Sequence, residues 1–185
     1  MDRNKIKDKL KTAKPASWDM IDKSVLITEN NLNTYRVKEV FIVAIEKLSE
    51  LQQELSKIIS FGIYNDIDVQ EEIADVMLSL NMIMISPINR EKFKHMKSVD
   101  ISFDGSDCTS HKLAVIIGTL AELQQYLSKF IRGRDERLNI YKVIYDIYDY
   151  LFVLVDMLNL SKEDIEKIIS IKIERQIDRY SKKKE

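Results

Sequence analysis

Turn-forming residues are scarce in this chain: there are 2 Pro and 4 Gly in 185 residues. That scarcity argues against a many-stranded β fold with tight hairpins and favours long, uninterrupted helices. The single cysteine, Cys108, excludes an internal disulfide and a multi-cysteine zinc site. No charge of one sign dominates. Lys and Arg number 29 against 30 Asp and Glu, a net charge of −1, which argues against a nucleic-acid partner held by a broad basic surface. No apolar run reaches the roughly 18–20 residues that cross a bilayer, and the opening "MDRNKIKDKLK" lacks the apolar core of a secretion signal. The expectation is a cytoplasmic protein without a membrane partner, long enough to bury a core without disulfides or structural metal.

What the chain does have is helical periodicity. Val37, Val40, Phe41, Ala44, Ile45, Leu48, Leu51, Leu55, Ile58 and Ile59 keep an i, i+3, i+4 rhythm, the apolar stripe of a bundle helix. "SFGIYNDID" (60–68) supplies a stop and a loop, and a second helix is expected from about Val69 to Ser86-Pro87. "NREKFKHMKSV" (89–99) reads as a further short helical segment, and "DISFDGSDCTS" (100–110) as an internal boundary. The pattern then restarts in "HKLAVIIGTLAELQQYLSKFIRG", stopped at Gly133. "RDERLNIYKVIYDIYDYLFVLVDMLNL" should be its partner, and a last helix should be capped by Ser161 with Asp164 in the first turn. Residues 1–36 form an N-terminal arm, with a short helix ended by Pro15 and Trp18 as a packing anchor.

The octet "ELQQELSK" (50–57) returns as "ELQQYLSK" (122–129), with Tyr126 replacing Glu54. In both halves the octet helix is followed by a loop and then by a helix with two acids three residues apart, Glu72 with Asp75 and Asp146 with Asp149. Acids at that spacing share a helix face, and Glu50 or Glu122 on the preceding helix can close on the same point. Three carboxylates across two helices suit a hard cation such as Mg²⁺, which takes oxygen ligands and keeps positions for phosphate and water. Each half thus reads as a helical hairpin, and the two hairpins together as a four-helix core.

The stretch "AIEKLSELQQELSKIISFG…VQEEIADVMLSL" resembles the MazG-like, all-α nucleoside triphosphate pyrophosphohydrolases. Their signature is E-E-x-x-E on one helix and E-x-x-D on the next. The resemblance covers residues 37–86 and, more weakly, 109–180. It implies an all-α bundle of two tandem hairpins, residues 37–99 and 111–185 joined by linker 100–110 in one compact domain. It also implies Mg²⁺ on four carboxylates, cleavage of a nucleotide between the α and β phosphates, and a dimer or tandem pair, which leaves a homo-oligomer open. By the same resemblance the catalytic and metal residues are Glu50, Glu72 and Asp75 in the first half and Glu122, Asp146 and Asp149 in the second. "IKIERQIDRY" resembles the family's basic last helix, making Lys172 and Arg175 candidate phosphate contacts.

The fourth acid of that pattern is missing twice, where Lys47 and Thr119 stand. Lysine sets a cation where a cation should bind, so of the two halves the second is the better candidate for hydrolysis. An ammonium in that place can instead meet a phosphate directly. Lys57 and Lys129, repeated in the octet, are either phosphate contacts or solvated helix edges. The expected function is therefore binding or sequestration of a phosphorylated nucleotide with weak or no hydrolysis. A Mg²⁺-dependent pyrophosphohydrolase releasing monophosphate and pyrophosphate is the alternative, and a helical interaction scaffold the third reading. His95, His111 and Cys108 read as surface residues. Tyr141, Tyr145, Tyr148, Tyr150 and Phe152 read first as core, with one or two rings able to stack on a base.

Overall fold

A computed structural model describes residues 3–15, 37–85 and 108–181. The Trp18 arm, the 89–99 segment with His95, and linker residues 100–107 lie outside them. Among the described residues the chain is all helical: α1 (Arg3–Leu10), α2 (Val37–Phe61), α3 (Asp66–Ile85), α4 (Thr109–Ile131), α5 (Arg137–Met157) and α6 (Lys162–Ser181). The punctuation follows local chemistry. Gly62 and Gly133 take φ of 65° and 90° just past α2 and α4, a backbone state only glycine enters without strain. α3 starts three residues before the expected Val69 because the Asn65 side chain accepts the Ile67 N–H at 3.0 Å. At α6 the Asp164 N–H donates to Ser161 Oγ at 3.1 Å, the cap expected from sequence.

α2, α3, α5 and α4 form a four-helix ring. α2 packs most extensively on α4 and α3, α5 packs on α4, and a slighter α3–α5 contact closes the ring. α6 lies outside it along α3, and α1 rests on α6, burying Ile6. The core is the apolar stripe of each helix. Leu48, Leu51 and Leu55 of α2 and Leu120, Leu123 and Leu127 of α4 are wholly buried, and the two sets stand 72 residues apart, the offset of the octet.

The octet glutamines join these helices reciprocally. Gln52 Nε2 donates to the Ile117 carbonyl and Gln124 Nε2 to the Ile45 carbonyl, both at 3.1 Å. Donors 52 and 124 and acceptors 45 and 117 are each related by 72, so a local two-fold relates α2 to α4. Numbers rise along one helix as they fall along the other, making the pair antiparallel. Phe41 of α2 meets Phe130 of α4 with ring centroids 5.0 Å apart, an edge-tilted contact that favours this arrangement.

On the opposite side of the ring, Tyr148 of α5 donates its hydroxyl to Asn81 Oδ1 of α3 at 2.6 Å. Core packing, the first reading for this tyrosine, holds: its ring lies against the core cluster. Tyr148→Phe is expected to cost about 1–2 kcal/mol by urea unfolding, since the Asn81 acceptor is left half-buried without its donor. An unchanged midpoint would show that water replaces the hydroxyl.

Candidate functional site

Three helices converge on one polar cavity of about 530 Å³. α2 brings Val43, Lys47 and Glu50, spaced i, i+4, i+7 on one face. α3 brings Glu71, Glu72 and Asp75 and, a turn or two further on, Leu78, Ser79 and Met82. α6 closes the cavity with Lys172, Arg175, Gln176 and Arg179. They share that face because they continue the stripe on which Ile165 and Ile168 are buried, with Lys172, Gln176 and Arg179 standing i+7, i+11 and i+14 from Ile165.

The carboxylates meet as the sequence implied. Oxygens of Glu50, Glu72 and Asp75 lie within 4.8 Å of one another. Two ammonium groups have entered the cluster. Lys47 Nζ is 2.7 Å from Glu50 Oε2 and 3.3 Å from Asp75 Oδ2. Lys172 Nζ is 2.6 Å from Asp75 Oδ1 and 3.1 Å from Glu71 Oε1. Asp75 thus has a cation on each oxygen, one from α2 and one from α6, and ties the three helices together.

Glu72 is the exception. Its Oε2 is shut off from solvent with no hydrogen-bond partner. Burial, reinforced by the Glu50 and Asp75 charges and only partly offset by Lys47 and Lys172, pushes its carboxyl up to about 7. A carboxyl titrating there can take up or release a proton near neutral pH. Burial works against the charge on Lys47, but its bonds to Glu50 and Asp75 outweigh it and hold the ammonium above its ordinary range.

The second set of acids is looser. Glu122, Asp146 and Asp149 do not come within the distance that gathers the first set. Burial pushes the Asp146 carboxyl up, with Asp149 and Glu122 adding to the effect against Lys142, so the three share a neighbourhood without converging. Glu122 is exposed and stands close enough to Tyr126, one turn on, to raise that phenol. The one residue by which the octets differ therefore lies beside the second acid set on the same helix. Thr119 turns its hydroxyl back to the Val115 carbonyl at 3.2 Å. The set favoured from sequence for hydrolysis is the one the fold leaves open.

Lys57 and Lys129 stand away from the cavity. Lys57 pairs with Glu54 at 2.6 Å, and Lys129 donates to Gln125 at 3.3 Å with its ammonium 5.0 Å from the Tyr126 ring centre. Neither lines the cavity, and each ammonium is engaged by a neighbour on its own helix. Sequence reading passed over Glu71, Gln176 and Arg179. Glu71 carried a signal in its i, i+4 spacing to Asp75, and Arg179 in its i, i+4 spacing to Arg175.

No described helix is long and apolar enough to cross a membrane. Oxygens within 4.8 Å suit one hard cation, but with Lys47 bonded to two of the three carboxylates the set does not fit Mg²⁺ as it stands. Compared with known protein families, with curated proteins and with solved structures, the chain matches none.

Proposed function

We propose that the chain binds a phosphorylated nucleotide in the cavity between α2, α3 and α6 and hydrolyses it slowly or not at all. One observation carries this reading: the Lys47 ammonium sits 2.7 and 3.3 Å from Glu50 and Asp75, where a divalent cation would otherwise bridge them. A tethered ammonium neutralises these carboxylates permanently. The polar, three-sided cavity remains, with arginines on α6 and apolar Val43, Leu78 and Met82 beside them, a mixture suited to a charged chain joined to a ring. The resemblance of "EEIAD" and its preceding helix to the MazG-like enzymes points to a nucleotide as the ligand. It also supports reading the two hairpins as copies of one unit.

Glu72 favours a second reading. Its unpartnered oxygen beside Glu50 and Asp75 would suit a Mg²⁺-dependent pyrophosphohydrolase if Lys47 swung out. A panel of nucleoside mono-, di- and triphosphates separates the readings, followed by melting shift in EDTA and by pyrophosphate release in Mg²⁺. The expected result is a rise in melting temperature with at least one nucleotide in EDTA and no release. Release that needs Mg²⁺ and vanishes in Asp75→Ala would establish the enzyme instead. No shift and no release with any nucleotide would leave the scaffold reading.

A further inference from the structure

We infer that the cavity seats a phosphate chain at its arginine end, against Arg179 and Gln176 of α6, without a divalent cation. The inference rests on the nucleotide reading above and assigns the ligand's orientation. Both lysines are engaged: Lys47 and Lys172 hold Glu50, Asp75 and Glu71 at 2.6 to 3.3 Å. A phosphate entering there must take these ammonium groups from their carboxylates and leave the acids uncompensated. Further along the same face of α6 the balance reverses. Arg179 lines the cavity, and its guanidinium makes no ion pair or hydrogen bond among the described residues.

Seven residues of helix separate Arg179 from Lys172, an axial step of about 10 Å, comparable to a Debye length in physiological salt. A phosphate chain at Arg179 is therefore largely clear of the carboxylates' repulsion. The planar guanidinium fork donates to two phosphate oxygens at once, and the Gln176 amide adds N–H donors on the adjoining turn. Val43, Leu78 and Met82 line the same cavity and offer an apolar wall for the ring. The chemistry is that of a nucleoside di- or triphosphate held by its phosphates at the arginine end.

The test uses the full chain and inorganic tripolyphosphate in EDTA, with calorimetric titration of the unsubstituted protein, Arg179→Gln and Lys57→Gln. Both substituted side chains are largely solvated, so unchanged melting curves will show that the fold is intact. Metal-free binding is expected, weakened about 10-fold or more in Arg179→Gln and unchanged in Lys57→Gln. Equal binding in Arg179→Gln, or binding that appears only with Mg²⁺, overturns the inference. If nucleoside triphosphates bind and tripolyphosphate does not, the inference falls while the nucleotide reading stands. If neither binds, both fall.

Discussion

Lys47→Glu is expected to destabilise the chain by about 3 kcal/mol in EDTA at pH 7.5 to 8, the lower end of what breaking a buried pair costs, and to regain much of that loss on adding Mg²⁺. The side chain is only 26% exposed and contacts two carboxylates, so little solvent screens the change. Replacing the ammonium by a carboxylate places four acids around one point and leaves Lys172 as the only ammonium bonded to Asp75 among the described residues. Those four acids are also the oxygen-rich set a hard cation prefers, and a ligand that binds only the folded form stabilises it by mass action. Lys47→Met keeps the aliphatic stem without adding charge. It should lose less stability and gain less from Mg²⁺. Urea unfolding of all three proteins, with EDTA and with Mg²⁺, measures the effect. A Lys47→Glu protein as stable as the original and indifferent to Mg²⁺ would show that the ammonium is not holding the cluster.

Glu72→Gln should stabilise the chain above neutral pH by removing a loss of stability that the carboxyl causes there. The folded carboxyl titrates at about 7 against an ordinary value of 4.5, so between these values the folded state binds more protons than the unfolded state. Stability from this group is present at pH 4.5 and below and is lost as pH rises through 7. At about 1.4 kcal/mol per pH unit, the full difference is roughly 3 kcal/mol, an upper bound for a half-buried side chain. Glutamine resembles the protonated acid and escapes the loss. The two proteins should unfold at similar urea concentrations at pH 5, and the variant should be more stable by about 2 kcal/mol at pH 8. A stability difference that stays constant from pH 5 to pH 8 would mean that Glu72 titrates as an ordinary surface carboxyl.

Most of the helices were legible from local signals. The leucine spacing in α2 and α4, Gly62, Gly133 and Ser161 act within a turn or two of themselves, so sequence alone exposes them. The Glu50, Glu72 and Asp75 cluster was legible as a pattern for the same reason, being built from i, i+3 pairs on neighbouring helices. Its completion was not. Lys172 reaches Glu71 from 101 residues away, and only the packing of α6 on α3 brings it there. The same packing separates the two halves. Besides α3 and α4, no described helix packs along α5 to a comparable extent, so Asp146 and Asp149 lack the third wall that encloses Asp75. The acids of the second half repeat, but the surroundings that would gather them do not.

The paired glutamine bonds between α2 and α4 have a bearing on the cavity they do not touch. Each spends a side-chain amide on a carbonyl in the middle of the opposite helix, and such carbonyls occur at every turn, so neither bond alone would forbid a slip of about 5.4 Å. Because the two helices run in opposite directions, sliding one displaces both amides from their carbonyls together. A partial slide therefore breaks both bonds at once, and a slip of a full turn would part Phe41 from Phe130, now 5.0 Å apart between ring centres, so the three contacts together hold the apolar stripes to this alignment. α4 in this way fixes how far α2 extends along the bundle, and hence the height at which Lys47 stands against Asp75.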